Sequence, residues 1–380
     1  MNGTDEVVKQ ISERLSNDDL SSRYDSSVRK KVGFCLILAV LTFITSMIAL
    51  SLGPTPITVM EVFGSLVNCI VDVFDIPQNY SDLIIDTRMP RVLMAIITGF
   101  SLAVAGCIMQ GILRNPLVSP FTLGVSTAAA FGAGISIMCG ATIFGTFYVT
   151  QFEVFGQMFS GSSIVNILFA FFFGLLSMSF VFLLSRKEHV SQSTIILTGV
   201  VVSYLFQAGL SFLKYISDDS ALRDITIWTM GNLWSSSWAV IIIILPFVVL
   251  CSVYLERVTI DINALSAGKD VAMNLGVDVA KVRTRSLLVC TLLTCVCLAF
   301  TGAIGFIGLM APHICRKIIG NDNRYLLPAS GIMGALILLI SDTVSRTAFP
   351  SDVPVGILIY LIGGVFFIWM VLKKDWRESS

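Results

Sequence analysis

The chain has 380 residues, 55% of them apolar and only 13% charged, with a formal net charge of zero and a mean hydropathy of +0.85. A soluble domain carries about a quarter charged residues, so this shortage of charge assigns the chain to a bilayer. The neutral balance excludes the basic face that nucleic acid requires.

Residues 1–33 are polar and of mixed charge, closing on Arg29-Lys30-Lys31 ahead of the first apolar run. They lack the short basic start and short apolar core of a signal peptide. They read as a cytoplasmic tail whose basic triplet holds the inner end of the first span. Ten apolar runs follow, at 34–52, 92–111, 122–140, 164–185, 194–213, 239–255, 286–304, 305–319, 326–345 and 354–372. A spanning helix needs about 20 such residues. The run at 305–319 is short and broken by glycine and proline, which is tolerated at membrane depth only against protein or an aqueous cavity. The predicted fold is therefore an all-α integral membrane protein, with about ten transmembrane helices over 34–374 and a cytoplasmic end at 375–380. With both termini inside, only Arg88, Arg91, Lys214, Arg223 and Arg346 of the 25 basic residues fall on the outer side. That asymmetry is what the positive-inside rule reads.

Three connections are long. The outer loop at 53–91 holds Pro54, Pro56 and Pro77, and the outer loop at 214–238 holds Trp228, Trp234 and Trp238, suited to a membrane interface. The inner loop at 256–285 contains Asp270-Val271-Ala272-Met273-Asn274-Leu275-Gly276. An acid near the start and a glycine at the end predict a short helix with a left-handed cap. Such a helix is either a plain connector or a lever gripped by a soluble partner.

Two features inside the spans carry polarity. Ser203, Gln207 and Ser211 recur at i, i+4 and i+8, one stripe of the fifth helix. The stripe lines a pathway or bonds to neighbouring helices. Asp342 is the nearest approach to an intramembrane charge, and Arg346 stands one turn away as its expected partner. Chemistry is otherwise sparse. Two histidines and nine cysteines, without CxxC or Cys/His ligand spacing, assemble no metal site and no hydrolytic triad. Most cysteines, such as Cys107, Cys290, Cys295 and Cys297, lie in apolar runs where packing is their expected role. There is no GxxxxGK[ST] loop, so any ATP that drives transport is hydrolysed by another polypeptide, and no cofactor is expected on this chain.

Several longer motifs share one resemblance. Thr87-Arg88-Met89-Pro90-Arg91, the stretch from Gly106 through Gln110, Gly111, Arg114, Asn115 and Pro116 to Leu117, and Leu123-Gly124-Val125-Ser126 follow one another along the first half. Gly302 to Arg316, with Gly305, Gly308, Pro312 and His313, and then Pro354-Val355-Gly356 complete the series. In this order they resemble the FecCD family, the permeases of type II ABC importers for ferric siderophores, haem and cobalamin. The resemblance implies two permease subunits, expected to be a homodimer, two cytoplasmic ATP-binding cassette subunits and an extracytoplasmic binding protein. It implies an ATPase-coupling helix at Asp270, Ala272, Leu275, Gly276 and Val277. It likewise implies binding-protein docking by Arg88, Arg91 and Arg346, a pathway lined by Ser203, Gln207 and Ser211, and an inner gate near Ser191, Gln192 and Ser193. Ferric siderophore is the first expectation for the cargo, with cobalamin and haem as alternatives. An ion-coupled secondary transporter is the competing class, and it would need paired ionisable groups at mid-membrane.

Overall fold

The computed structural model describes residues 17–69, 71, 73–185 and 192–372. Residues 1–16 of the expected tail, Ser191 and the end at 375–380 lie outside the described residues, as does the side chain of Gln192.

Helix α1 (Asn17–Ser51) leads through a short helix α2 (Val59–Asn68) and α3 (Gln78–Asp82) into a widened π-type segment, Leu83–Arg88, that continues directly as α4 (Met89–Leu113). Next come α5 (Val125–Phe144), the single turn α6 (Thr146–Val149), and a hairpin of β1 (Gln151–Val154) and β2 (Gln157–Ser160). Then follow α7 (Gly161–Ser185), α8 (Gln192–Ile216), α9 (Asp219–Met230) and α10 (Trp238–Arg257). The chain closes with α11 (Thr259–Ala267), α12 (Lys269–Asn274), α13 (Val279–Thr301), α14 (Ile307–Ile319), α15 (Asn323–Thr347) and α16 (Val355–Leu372).

Every one of the ten apolar runs falls on a helix, and eight helices among the described residues are long and apolar enough to cross a membrane. The shortfall lies at α14 and α16. The 13 residues of α14 rise only about 20 Å, short of the ~30 Å hydrocarbon core. The chain between α13 and α14 is unwound from Gly302 (φ 68°) to Phe306 (φ 59°). Its backbone is held by protein: the Asn232 N–H donates to the Thr301 carbonyl at its edge (2.8 Å), and the Ala303 N–H donates to the Trp228 carbonyl (3.4 Å). This satisfies the condition on irregular backbone at membrane depth.

Helix starts follow local chemistry. Thr58 and Glu61 form a reciprocal capping box at α2, and Asp218, Asp278 and Asp322 cap α9, α13 and α15 by accepting backbone N–H groups. The hairpin turns at Phe155 and Gly156, both at positive φ, with Gln151 opposite Ser160.

Helix α4 is the buried axis of the bundle, packed against α15, α13, α14 and α10. Its two tightest crossings use glycine. A Cβ on Gly106 would overlap the Gly308 carbonyl, and one on Gly99 would overlap that of Gly334. Small residues let backbones touch in this way. Gln110 seals the first crossing: its Nε2 donates to the Gly308 carbonyl (3.1 Å) while its Oε1 accepts from Arg316 Nη2 (3.1 Å). Gly106→Val is expected to abolish the monodisperse species on size-exclusion chromatography. Gly364→Val, where a Cβ meets nothing within 4 Å, should leave it intact.

Candidate functional site

The two ends of the bundle carry different chemistry. At the end formed by α2, α9 and the hairpin, Arg88, Arg91 and Arg346 converge with Asp342 and Asp352. Arg88 is only 5% exposed. Its guanidinium donates to the carbonyls of Leu50 (2.6 Å) and Ser51 (2.9 Å), orphan acceptors at the end of α1, and to that of Thr55 (2.6 Å) in the loop beyond. Arg346 likewise donates to the carbonyls of Ala49 and Leu52. Arg91 grips Asp342 with Nε (3.0 Å) and Nη2 (2.8 Å) and reaches Asp352 with Nη1 (2.5 Å).

Arg88 and Arg346 thus spend side-chain donors on the end of α1 and the loop after it, tying them to the start of α4 and to α15. The Arg91–Asp352 pair is the most open part of the cluster, with side chains 17% and 34% exposed. Asp342 keeps its expected ion pair with Arg346 and gains a second, closer partner. Arg346 lies 3.6 Å from its carboxylate, whereas Arg91, 251 residues away in sequence, holds it bidentately.

At the opposite end, α12 has the geometry that its sequence predicts. Gly276 is left-handed (φ 84°), the Val277 N–H reaches the Ala272 carbonyl at 3.0 Å, and the Gly276 N–H reaches Met273 at 3.0 Å. These two bonds are a Schellman cap. Ala272 is fully buried and packs with Leu265 and Val279, with Val277 against them. The remaining apolar side chains point away: Val271, Met273 and Leu275 are exposed, Leu275 by 68%. The expected coupling set therefore divides. Ala272 and Val277 anchor the helix, Leu275 faces outward, and Val271 and Met273, which the resemblance does not single out, face outward with it. Asp270 lies in the first turn and is exposed.

Beside this end, Asp322 ties α1, α11 and α15 together. It accepts from Arg324 (2.9 Å) and from Asn263 (2.9 Å), with Lys31 at 3.6 Å. The Arg324 bonds, helped by Asn263, draw its carboxyl down to about 2. The contribution of this tie is complete above the ordinary carboxylate range and is lost only as pH falls toward that value.

Along α8, Gln207 and Ser211 are exposed, whereas Ser203 is half-buried and donates to the Gly199 carbonyl at 2.8 Å. Ser193 is exposed at the start of the same helix. Tyr204, Leu205, Phe212 and Tyr215 are exposed beside the polar stripe. On α16, Leu361, Val365 and Ile368 form a second outward apolar face. His313 is buried, edge-on to Phe366.

A multi-span bundle with an unwound membrane segment, polar side chains left open on a span and a rigid apolar knob at one end is the architecture of a transport subunit. Residues 40–373 match the FecCD transport family, and the chain belongs to that family of ABC importer permeases. It is 38% identical over 93% of its length to a Methanocaldococcus jannaschii protein named as an ABC transporter permease, covering 98% of that protein. It is 36% identical over 78% of its length to the hemin transport system permease HmuU of Yersinia pestis, covering 85% of it. A solved chain from an inward-facing structure, named as a metal-chelate type ABC transporter, superposes with a TM-score of 0.73 at 32% identity. That match covers 89% of this chain and 98% of the other.

Proposed function

We propose that the chain is the permease of a binding-protein-dependent importer that moves a ferric chelate inward by alternating access, driven by separate ATPase subunits. The observation that carries this reading is the family match across residues 40–373, which takes in the last third of α1 and every later span. The end bearing α12 is taken as cytoplasmic, on the strength of the basic residues concentrated there. Val271, Met273 and Leu275 then form the knob that enters a groove of the ATPase, and the Schellman cap makes the knob rigid enough to pass on a push. The binding protein docks at the other end, where the Arg91–Asp352 edge is the most open part of the charge cluster.

A second copy of the chain completes the pathway. Gln207 and Ser211 are open on a span, and polar groups facing hydrocarbon are costly. A facing subunit with water between the two resolves that cost. The apolar faces of α8 and α16 supply the contact area, and Ser193 belongs to the inner gate expected with Ser191 and Gln192.

Ferric siderophore remains the first choice of cargo. Relatives are named for hemin, Fe(3+)-citrate, cobalamin and molybdate, so haem or a corrinoid on the same machinery is the nearest alternative. Inverted vesicles separate this class from an ion-coupled carrier. Transport that requires both ATP and a co-expressed ATPase is the expected result. Transport by the chain alone, driven by a proton or sodium gradient, would contradict it.

A further inference from the structure

Behind the stem of α12, the same end of the bundle holds a cleft of about 210 Å³ between α4, the turn after it, α11 and the α14–α15 junction. Its wall includes Gln110, Arg114, Asn115, Ser266, Arg316 and Asn321, and no Asp or Glu lines it. Two guanidinium groups thus share a polar cleft without a counter-charge. Arg316 makes one side-chain bond, to Gln110, and among the described residues neither it nor Arg114 has an ion pair. The acid next to this wall in sequence, Asp322, is already taken by Arg324, Lys31 and Asn263. A partly buried cation without a partner costs free energy, and an anion in the cleft removes that cost.

The local backbone fixes the geometry. Arg114 closes α4 in the left-handed region (φ 45°), with its N–H on the Gln110 carbonyl. The Asn115 side-chain oxygen accepts the Leu117 N–H at 2.9 Å, which leaves its amide NH2 as a donor. Two planar forks and free amide donors suit a tetrahedral group with several oxygens better than a lone carboxylate.

We propose that this cleft is an anion site for a phosphate group, gripped by Arg114 and Arg316. Because α11 leads through Gly268 into α12, occupancy ties the stem of the knob to α4 and α14. A phosphate group reaches this end either as free phosphate or as the headgroup of an anionic lipid at the bilayer edge. The site stands on the cleft itself and does not depend on the cargo or the ATPase.

The test uses the full chain in phosphatidylcholine nanodiscs titrated with inorganic phosphate by calorimetry. A parallel sample in discs containing phosphatidylglycerol is read by native mass spectrometry for retained lipid. Arg316→Gln and Arg114→Gly are each expected to weaken the binding seen in the wild type by about tenfold or more, the size of one lost charge-assisted bond. Arg114→Gly guards against misfolding, since Arg114 is exposed, without a side-chain bond among the described residues, and in a conformation that suits glycine. Arg223→Gln, at the opposite end, should change nothing. Phosphate binding without lipid retention identifies a free-anion site, and the reverse a headgroup site. If the wild type takes neither, or both variants bind as it does, the proposal is overturned.

Discussion

Asp342→Ala is expected to cost the folded chain about 3–5 kcal/mol, the usual penalty for stripping one partner from a buried ion pair. The carboxylate is fully buried and receives Arg91 through two nitrogens, with Arg346 at 3.6 Å. Its removal leaves the Arg91 guanidinium half-matched by Asp352 and brings it into repulsion with Arg346. Because Arg346 and Arg88 together hold the last carbonyls of α1, the loosening should spread to the α1–α15 contact. Thermal unfolding in detergent reads the loss directly. A paired Arg91→Met, Asp342→Leu variant should recover much of it, since an apolar replacement of similar volume is often neutral or better. Wild-type stability in Asp342→Ala would mean that the cluster is ornamental.

Leu275→Asp is expected to stop uptake while the chain stays folded in the membrane. Leu275 is 68% exposed and contributes nothing to the core, so the substitution acts on whatever the knob meets. Apolar anchors at interface centres cost about 2 kcal/mol or more when lost, which is about 30-fold in affinity for the ATPase. Gly276→Val should act differently. Nothing lies within 4 Å of its Cβ position, but the φ of 84° strains any β-branched residue. The cap loosens, and ATP hydrolysis continues without matching transport. Pull-down of the ATPase separates the two: Leu275→Asp loses it, and Gly276→Val retains it. Undiminished uptake in both variants would remove α12 from the coupling step.

What the sequence discloses depends on how local the controlling physics is. The helix and cap at α12 were legible because an acid in the first turn and a glycine at C′ act within one or two turns. Span positions were legible because hydrocarbon selects apolar runs of fixed length. The fates of Arg88, Arg91 and Arg346 were not. Their partners are the end of α1 and Asp342, dozens to hundreds of residues away, and no spacing rule reaches that far. The i,i+4 pairing of Asp342 with Arg346 was the only partner a local rule could offer, and geometry made it secondary. The hairpin at 151–160 was also hidden. Its strands are four residues each and lie between two long apolar runs, too short for an alternation signal. Val271 and Met273 were missed because the resemblance drew attention to the buried anchor, Ala272 and Val277, while outward exposure emerges only once the helix is docked on Leu265 and Val279.

The proposed function of this chain is that of the permease of a ferric-chelate importer. It is tested most directly by uptake of labelled ferric siderophore, with labelled cobalamin and haem in parallel, by cells with and without the chain. Iron accumulation that disappears with the chain, while cobalamin and haem uptake persist, is the predicted result. Iron uptake unchanged by deletion would contradict it, and loss of cobalamin or haem uptake alone would reassign the cargo.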